Sequence, residues 1–283
     1  MHDKSRLIVL DIETYRTRVP EIVERIEREA IERQPAQNVA KALKDAWDTE
    51  SSRERRAAEA LSKTALNVLL AEILCVCWRA DGECSDVSTM HENKTAEEHA
   101  LRVLVEAWNE QAGPDTIWCG HNIHNFDLAV LLNRWRRYGI RPPEHFPQFS
   151  NGRWFGRTWD TMRRTPCDSG LGLVSLRTVC EAYGIEGAKS TFWRGEPIDG
   201  ARVSEVYEAG EYDLILEYCR QDVVVEEALY LAQTDCDTYG TYDTRAEVHQ
   251  QIAEIQESTL RPGEKAMAIQ QLLESAGYIP RAA

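Results

Sequence analysis

The chain has 283 residues, enough for one full core or two small ones, and its 43% hydrophobic and 28% charged content excludes a disordered or fibrous protein. A net charge of −14 argues against indiscriminate binding to polyanions. The apolar run after residues 1–6 is too short for a signal peptide and no run reaches membrane-spanning length, so a cytoplasmic protein without membrane contact is expected.

Leu7, Ile8, Val9 and Leu10 are four apolar residues in succession, which predicts a strand buried on both faces in the middle of a sheet. It runs into Asp11 and Glu13. Side chains alternate along a strand, so the two carboxylates project to the same side, roughly 6.5–7 Å apart along the backbone. Like charges so placed need solvent, basic partners or a divalent cation, and their hard oxygens suit Mg²⁺ or Mn²⁺. Taken alone, the pair reads more readily as a solvated strand end.

Residues 16–66 form a charged segment in which Val19, Ile22, Val23, Ile26 and Ala30, then Val39, Leu43, Ala46 and Trp47, fall at helical spacing, with a third helix over 54–68. This predicts a helical insertion without its own core. A strand follows over 73–79, and Asp81-Gly82 turns it into another over 84–90. Thr95 and Glu98 fit a capping box opening an amphipathic helix through Leu101, Leu104, Val105 and Trp108, which Gly113-Pro114 stops. A short strand over 116–119 leads through Gly120-His121-Asn122 into a helix from Asn125 to Tyr138. This order predicts an α/β fold with a mixed sheet flanked by helices.

Beyond it lie an irregular Pro-rich stretch over 141–151, a short strand over 157–162, a helix over 175–183 and a long helix over 211–231. Two amphipathic helices over 235–283, split at Pro262-Gly263, would cover the sheet or make an oligomer contact. The organisation expected is one domain over 1–283, with the insertion at about 16–66 and the C-terminal extension at about 235–283.

The eight cysteines include no C-x-x-C pair, and several sit in apolar runs, so they read as small buried hydrophobes rather than a zinc site. Between Arg134 and Arg164 eight arginines face two acids. With Trp135, Trp154, Phe155 and Trp159 this segment is the candidate for binding a nucleic-acid backbone and stacking unpaired bases, although Trp135 also falls at core spacing beside Leu131 and Leu132. His121 and His124 flank Asn122, as hydrogen-bonded loop histidines or as substrate contacts. Asp160 is either a local cap or a further acid near the site.

Three separated pieces carry the chemistry. The first is Asp11 with Glu13. The second is Asn122-Ile123-His124-Asn125-Phe126-Asp127, which sets Asp127 in the first turn of a helix, where the positive helix end favours a carboxylate. In the third, Tyr218 and Asp222 stand four apart on a helix and share a face. In this order the pieces resemble the DEDD superfamily of 3′-to-5′ exonucleases, with a ribonuclease H-like fold, and Tyr218 four residues before Asp222 is similar to its DEDDy branch. The DEDDh branch would have histidine where Glu217 stands. Gly184-Ile185, Lys189, Asp199-Gly200, Val203 and Gly210 extend the likeness toward family-B-polymerase exonucleases, over roughly residues 6–232 without the insertion.

The resemblance implies a metal-dependent exonuclease that degrades single-stranded nucleic acid from a free 3′ end to nucleoside 5′-monophosphates, with DNA favoured over RNA. It implies two ions, Mg²⁺ or Mn²⁺, on Asp11, Glu13, Asp127 and Asp222, with Asp11 bridging and Tyr218 orienting the water. Thr14, Asn122, His124, Phe126 and Lys189 are the implied substrate contacts. The long insertion and the lack of a following polymerase segment depart from the pattern. They suggest a stand-alone nuclease or a subunit whose insertion or C-terminal helices make an oligomer or larger complex. The rival readings are an enzyme for short or cyclic oligonucleotides and a non-catalytic binder of nucleic-acid ends.

Overall fold

The computed structural model describes residues 5–35, 46–47, 49–90, 96–165, 174–187 and 191–238. The chain forms two compact units, Met1–Leu229 and Tyr230–Ala283, and the second is described only where the last helix enters it. The helices expected around Val39 and Leu43 and beyond residue 238 lie outside the described residues, as do Thr95 and Lys189.

Strand β1 (Ser5–Tyr15) is the central strand that the run from Leu7 predicts: Ile8, Val9 and Leu10 are fully buried. On one side it pairs antiparallel with β2 (Glu72–Ala80), itself buried from Glu72 to Trp78, and β2 pairs antiparallel with β3 (Glu83–Ser88). Asp81 and Gly82 join those two with φ of 51° and 84°, the left-handed pair a two-residue hairpin requires. On its other side β1 pairs parallel with β4 (Ala112–Gly120).

The connection into β4 is α3 (Ala96–Gln111), numbered after the two insertion helices α1 (Pro20–Glu32) and α2 (Glu50–Ser62). After β4 comes α4 (Asp127–Arg137). Then follow a hairpin of β5 (Gln148–Ser150) and β6 (Arg153–Phe155), and β7 (Thr158–Asp160), which pairs parallel with β4. The principal sheet is ordered β3-β2-β1-β4-β7 and flanked by helices, the mixed α/β arrangement expected.

The rest comprises α5 (Thr161–Arg164), α6 (Leu176–Ala182), a small hairpin of β8 (Phe192–Trp193) and β9 (Glu196–Pro197), α7 (Val203–Glu208) and the long α8 (Tyr212–Thr238). The β5–β6 hairpin, the β8–β9 hairpin, α5 and α7 were not expected from the sequence, which placed a strand over 157–162 where β7 gives way to α5.

The core is aromatic. Trp108 of α3 is fully buried, meets Trp118 edge-on at 4.9 Å between ring centroids and stacks on Phe146, while Trp135 of α4 meets Phe146 at 4.8 Å. Trp135 is therefore a packing residue. Beside it, Arg134 is buried and paired through Nε with Glu97 at 2.7 Å, and Tyr138 also donates to Glu97. Arg134 is thereby outside the part of the arginine segment that could bind, because a guanidinium held in the interior by the Glu97 carboxylate does not reach a phosphate.

The described residues of the insertion bury little. Helix α1 buries no residue and α2 buries only Ala57 and Leu61. Arg56 of α2 joins them by donating to the carbonyls of Ala30 and Ile31, which the end of α1 leaves open. A 3₁₀ turn (Lys63–Leu66) follows α2 and is stapled to the end of β1: Thr14 Oγ1 donates to the Ala65 carbonyl at 2.7 Å, and the Thr17 amide to Thr64 Oγ1 at 2.9 Å.

Gly120 ends β4 against β1. A Cβ there would stand 2.8 Å from the Leu10 carbonyl and 3.1 Å from the Ile123 side chain. Gly120→Ala is therefore expected to cost about 1–3 kcal/mol in urea unfolding by forcing β1 and β4 apart. An unchanged midpoint would show that the strands yield freely.

Candidate active site

Alternation along β1 puts Asp11 and Glu13 on one face, and α8 crosses that face. The carboxylate oxygens of Asp11, Glu13 and Asp222 lie within 4.8 Å of one another. One turn earlier on α8, Tyr218 is buried. Asp127 heads α4, and its carboxylate accepts its own amide and that of Ile12, which ties the second motif to β1. All five residues line one cleft of about 1080 Å³, joined by Thr14, Asn122 and Phe126. The end of the insertion, at Lys63 and Leu66, borders the same cleft.

Burial and mutual repulsion govern the electrostatics. The carboxyl of Asp11 is pushed well above the usual carboxylate range, first by burial and then by the charges of Glu13, Glu226, Asp222 and Asp127. Asp127 is pushed up to about 8 by burial, against the pull of its two amide donors and with a further rise from Asp160. Asp11 Oδ2 is buried with no hydrogen-bond partner among the described residues. An interior cannot hold such a group ionised without a cation. The donor set is all hard oxygen, so Asp11, Glu13, Asp127 and Asp222 fit Mg²⁺ or Mn²⁺.

The structure adds an acid that the motifs do not contain. Glu226 is buried one turn beyond Asp222, lines the same cleft, and accepts the His121 amide through Oε1 at 3.1 Å. The signal was in the sequence, since 218, 222 and 226 continue one helical face. Glu226 thereby fixes the loop that precedes the second motif to the helix of the third. Glu226→Ala is expected to lower kcat/KM about tenfold with Mn²⁺ saturating, the loss of one charge-assisted hydrogen bond. Glu226→Gln, which keeps the acceptor, should recover most of it; a glutamine variant as impaired as alanine would assign the effect to charge instead.

Asp160 resolves as a brace. It caps α5 through the Arg163 amide and accepts the amides of Asn122 and His124 at 3.1 and 3.4 Å. That holds Asn122 at φ 61°, a left-handed conformation asparagine tolerates better than most residues. His121 bonds Thr161 and the Val174 carbonyl, and His124 bonds Thr158.

His124 faces a neighbouring cavity of about 590 Å³, lined also by Arg136, Arg153, Arg163, Phe149 and Trp154. The described part of the arginine segment thus divides: Arg134 belongs to the core, Arg157 pairs with Asp115, and Arg136, Arg153 and Arg163 reach this cavity. Phe149 and Phe155 on the β5–β6 hairpin are about half exposed.

A mixed sheet carrying converged acids at the end of its central strand defines a carboxylate-centred hydrolase site. The chain belongs to the family of predicted 3′-5′ exonucleases related to the exonuclease domain of PolB, whose family model matches residues 62–275. It is a nuclease by that membership, with nucleic acid as its substrate class. Strand β1, with Asp11 and Glu13, precedes the matched residues.

Among curated proteins none matches the chain. Of solved structures, a family B DNA polymerase from the hyperthermophilic archaeon Pyrobaculum calidifontis is similar at 17% identity and a TM-score of 0.46, over 79% of this chain and 24% of the polymerase. The chain thus spans about a quarter of that protein. The RNase domain of the yeast Pop2 protein is similar at 10% identity and a TM-score of 0.30, over 77% of this chain and 76% of that one. No described helix is long and apolar enough to cross a membrane.

Proposed function

We propose that the protein removes nucleotides stepwise from a free 3′ end of single-stranded nucleic acid, DNA in preference to RNA, and releases nucleoside 5′-monophosphates. The observation that carries this reading is the meeting of Asp11, Glu13 and Asp222 within 4.8 Å at the head of a cleft that Tyr218 and Asp127 share. Two divalent cations, Mg²⁺ or Mn²⁺, bound by Asp11, Glu13, Asp127 and Asp222 would supply an activated water, a neutralised phosphate and a stabilised leaving 3′-oxygen.

The residues divide the work by position. Asp11 feels the charge of Glu13, Glu226, Asp222 and Asp127, and it would be held ionised there as a ligand of the cations. Glu13 and Asp222 would help hold the cation that activates the water, and the Tyr218 hydroxyl would orient that water. Asp127 would help hold the cation that stabilises the departing 3′-oxygen. Thr14, Asn122 and Phe126 border the terminal nucleotide, while His124, Arg136 and Arg153 receive the strand behind it.

The test is a digestion of matched 5′-labelled single-stranded DNA and RNA with Mg²⁺ or Mn²⁺, with Asp222→Ala as the control. A ladder that shortens from the 3′ end, faster on DNA and absent with the variant, is the expected result. Full-length label bound but uncut, or turnover confined to dinucleotides, would overturn the polymer-degrading reading. In the same assay Arg136→Ala and Arg153→Ala should each raise KM several-fold, leave kcat in place and reduce the salt dependence of log KM by about one phosphate contact. Equal loss at every salt concentration would exclude a backbone role.

A further inference from the structure

Behind the carboxylates lies a second cluster that the nuclease reading does not use. Cys75 and Cys77 alternate on β2 and so share a face, and Cys219 reaches them from α8. Their three sulfurs lie within 4.8 Å of one another, and all three residues are fully buried. Cys75 stands opposite Glu13 and Cys77 opposite Asp11 in the β1–β2 pairing, and Cys219 adjoins Tyr218. The cluster therefore touches both elements that carry the paired acids and the tyrosine.

We propose that Cys75, Cys77 and Cys219 form a structural site for a thiophilic d¹⁰ cation, Zn²⁺ or Cu⁺, separate from the carboxylate site and tying β2 to α8. Sulfur ligands at about 2.3 Å from such an ion stand about 3.8–4.0 Å from one another, so the cluster closes on one with shifts of under about 1 Å per sulfur. Soft sulfur discriminates against the Mg²⁺ or Mn²⁺ suited to the neighbouring oxygens, so the two sites select different metals.

The surroundings set the charge that the site can carry. Cys219 Sγ is 3.4 Å from the Asp11 carbonyl and Cys77 Sγ 3.9 Å from the Leu216 carbonyl, so the thiols rest on backbone oxygens in a layer that already holds buried carboxylates. Three thiolates could not be added to that layer uncompensated. Binding releases thiol protons in number matching the cation's charge, two for Zn²⁺ and one for Cu⁺, so that the site stays neutral and each remaining sulfur coordinates as a thiol. Its effect is to hold α8, with Tyr218 and Asp222, at a fixed height over the strand pair that carries Asp11 and Glu13.

The experiment uses the full chain, reduced and stripped of metal, titrated with Co²⁺ and then Zn²⁺. One equivalent of Co²⁺ should give the thiolate-to-cobalt charge-transfer absorption, and Zn²⁺ should displace it. The absorption should persist in Asp11→Asn and vanish in Cys219→Ala. A folded wild type that gives no such absorption, or a Cys219→Ala protein that keeps it, overturns the proposal. Because removing a buried sulfur can also unfold the chain, X-ray absorption at the zinc edge of the wild type gives an independent answer. Three sulfurs in the first shell sustain the site, and a shell of oxygen and nitrogen alone refutes it.

Discussion

Asp11→Asn is expected to abolish hydrolysis and at the same time raise the melting temperature of the metal-free protein. The two effects have one cause. Asp11 is pressed by burial and by Glu13, Glu226, Asp222 and Asp127, and its Oδ2 is buried with no hydrogen-bond partner among the described residues. Without a cation its charge is a cost to the fold. The neutral amide removes that repulsion at nearly constant volume, which should gain about 1 kcal/mol, or roughly 2–4 °C. With Mg²⁺ or Mn²⁺ present the same carboxylate would be a ligand, and its loss should lower kcat/KM on the order of 10³-fold, about 4 kcal/mol of transition-state stabilisation. Calorimetry in chelator and digestion in Mn²⁺ check both arms. An inactive variant that is also less stable would make Asp11 an ordinary structural carboxylate.

That trade between function and stability explains which parts of the site could be read from sequence. Asp11 with Glu13, and Tyr218 with Asp222, are pairs at strand and helix spacing, and local periodicity alone places each pair on one face. Glu226 obeys the same rule as Asp222 but belongs to no motif, so nothing drew attention to it. The three cysteines are a different case. Cys75 and Cys77 alternate visibly, but their partner comes from α8, and only the crossing of α8 over β1 and β2 brings Cys219 to them. No spacing rule encodes that.

The fold divides along the same line. Among the described residues, the sheet strands with apolar runs and the longer amphipathic helices were found, while β5–β6 and β8–β9 were not, because strands of two or three residues carry no period to detect. The β5–β6 turn did announce itself, since Asn151-Gly152 adopts φ of 51° and 76°, the pair favoured in two-residue hairpins. Arg134 shows the limit of counting charges along a segment. Its partner Glu97 lies on α3, and the ion pair they bury removes one charge from the basic face that the sequence suggested.

Divalent metal should stabilise the protein more strongly as pH rises, and the metal-free protein should weaken over the same range. Asp127 titrates near 8 in the folded chain against 3.8 for an ordinary aspartate, and Asp11 is raised in the same direction. Between about pH 4 and 8 the folded state therefore holds protons that the unfolded state has released. The contribution of these two groups to folding stability is greatest below the ordinary aspartate value and is lost as pH climbs through the folded one. His124 works against this trend, because burial lowers its imidazole and charging it at acid pH disfavours the fold.

The comparison is best made as a difference between matched melting curves in Mn²⁺ and in EDTA, in which the His124 contribution cancels. Cation binding requires ionised carboxylates and expels their protons, so the melting-temperature gap should widen steadily from pH 5 to pH 8. In Asp127→Asn, which has no such proton to lose, the gap should widen less. A gap that stays constant across that range would mean that the acids are already ionised without metal, and that the buried cluster is compensated by something other than a cation.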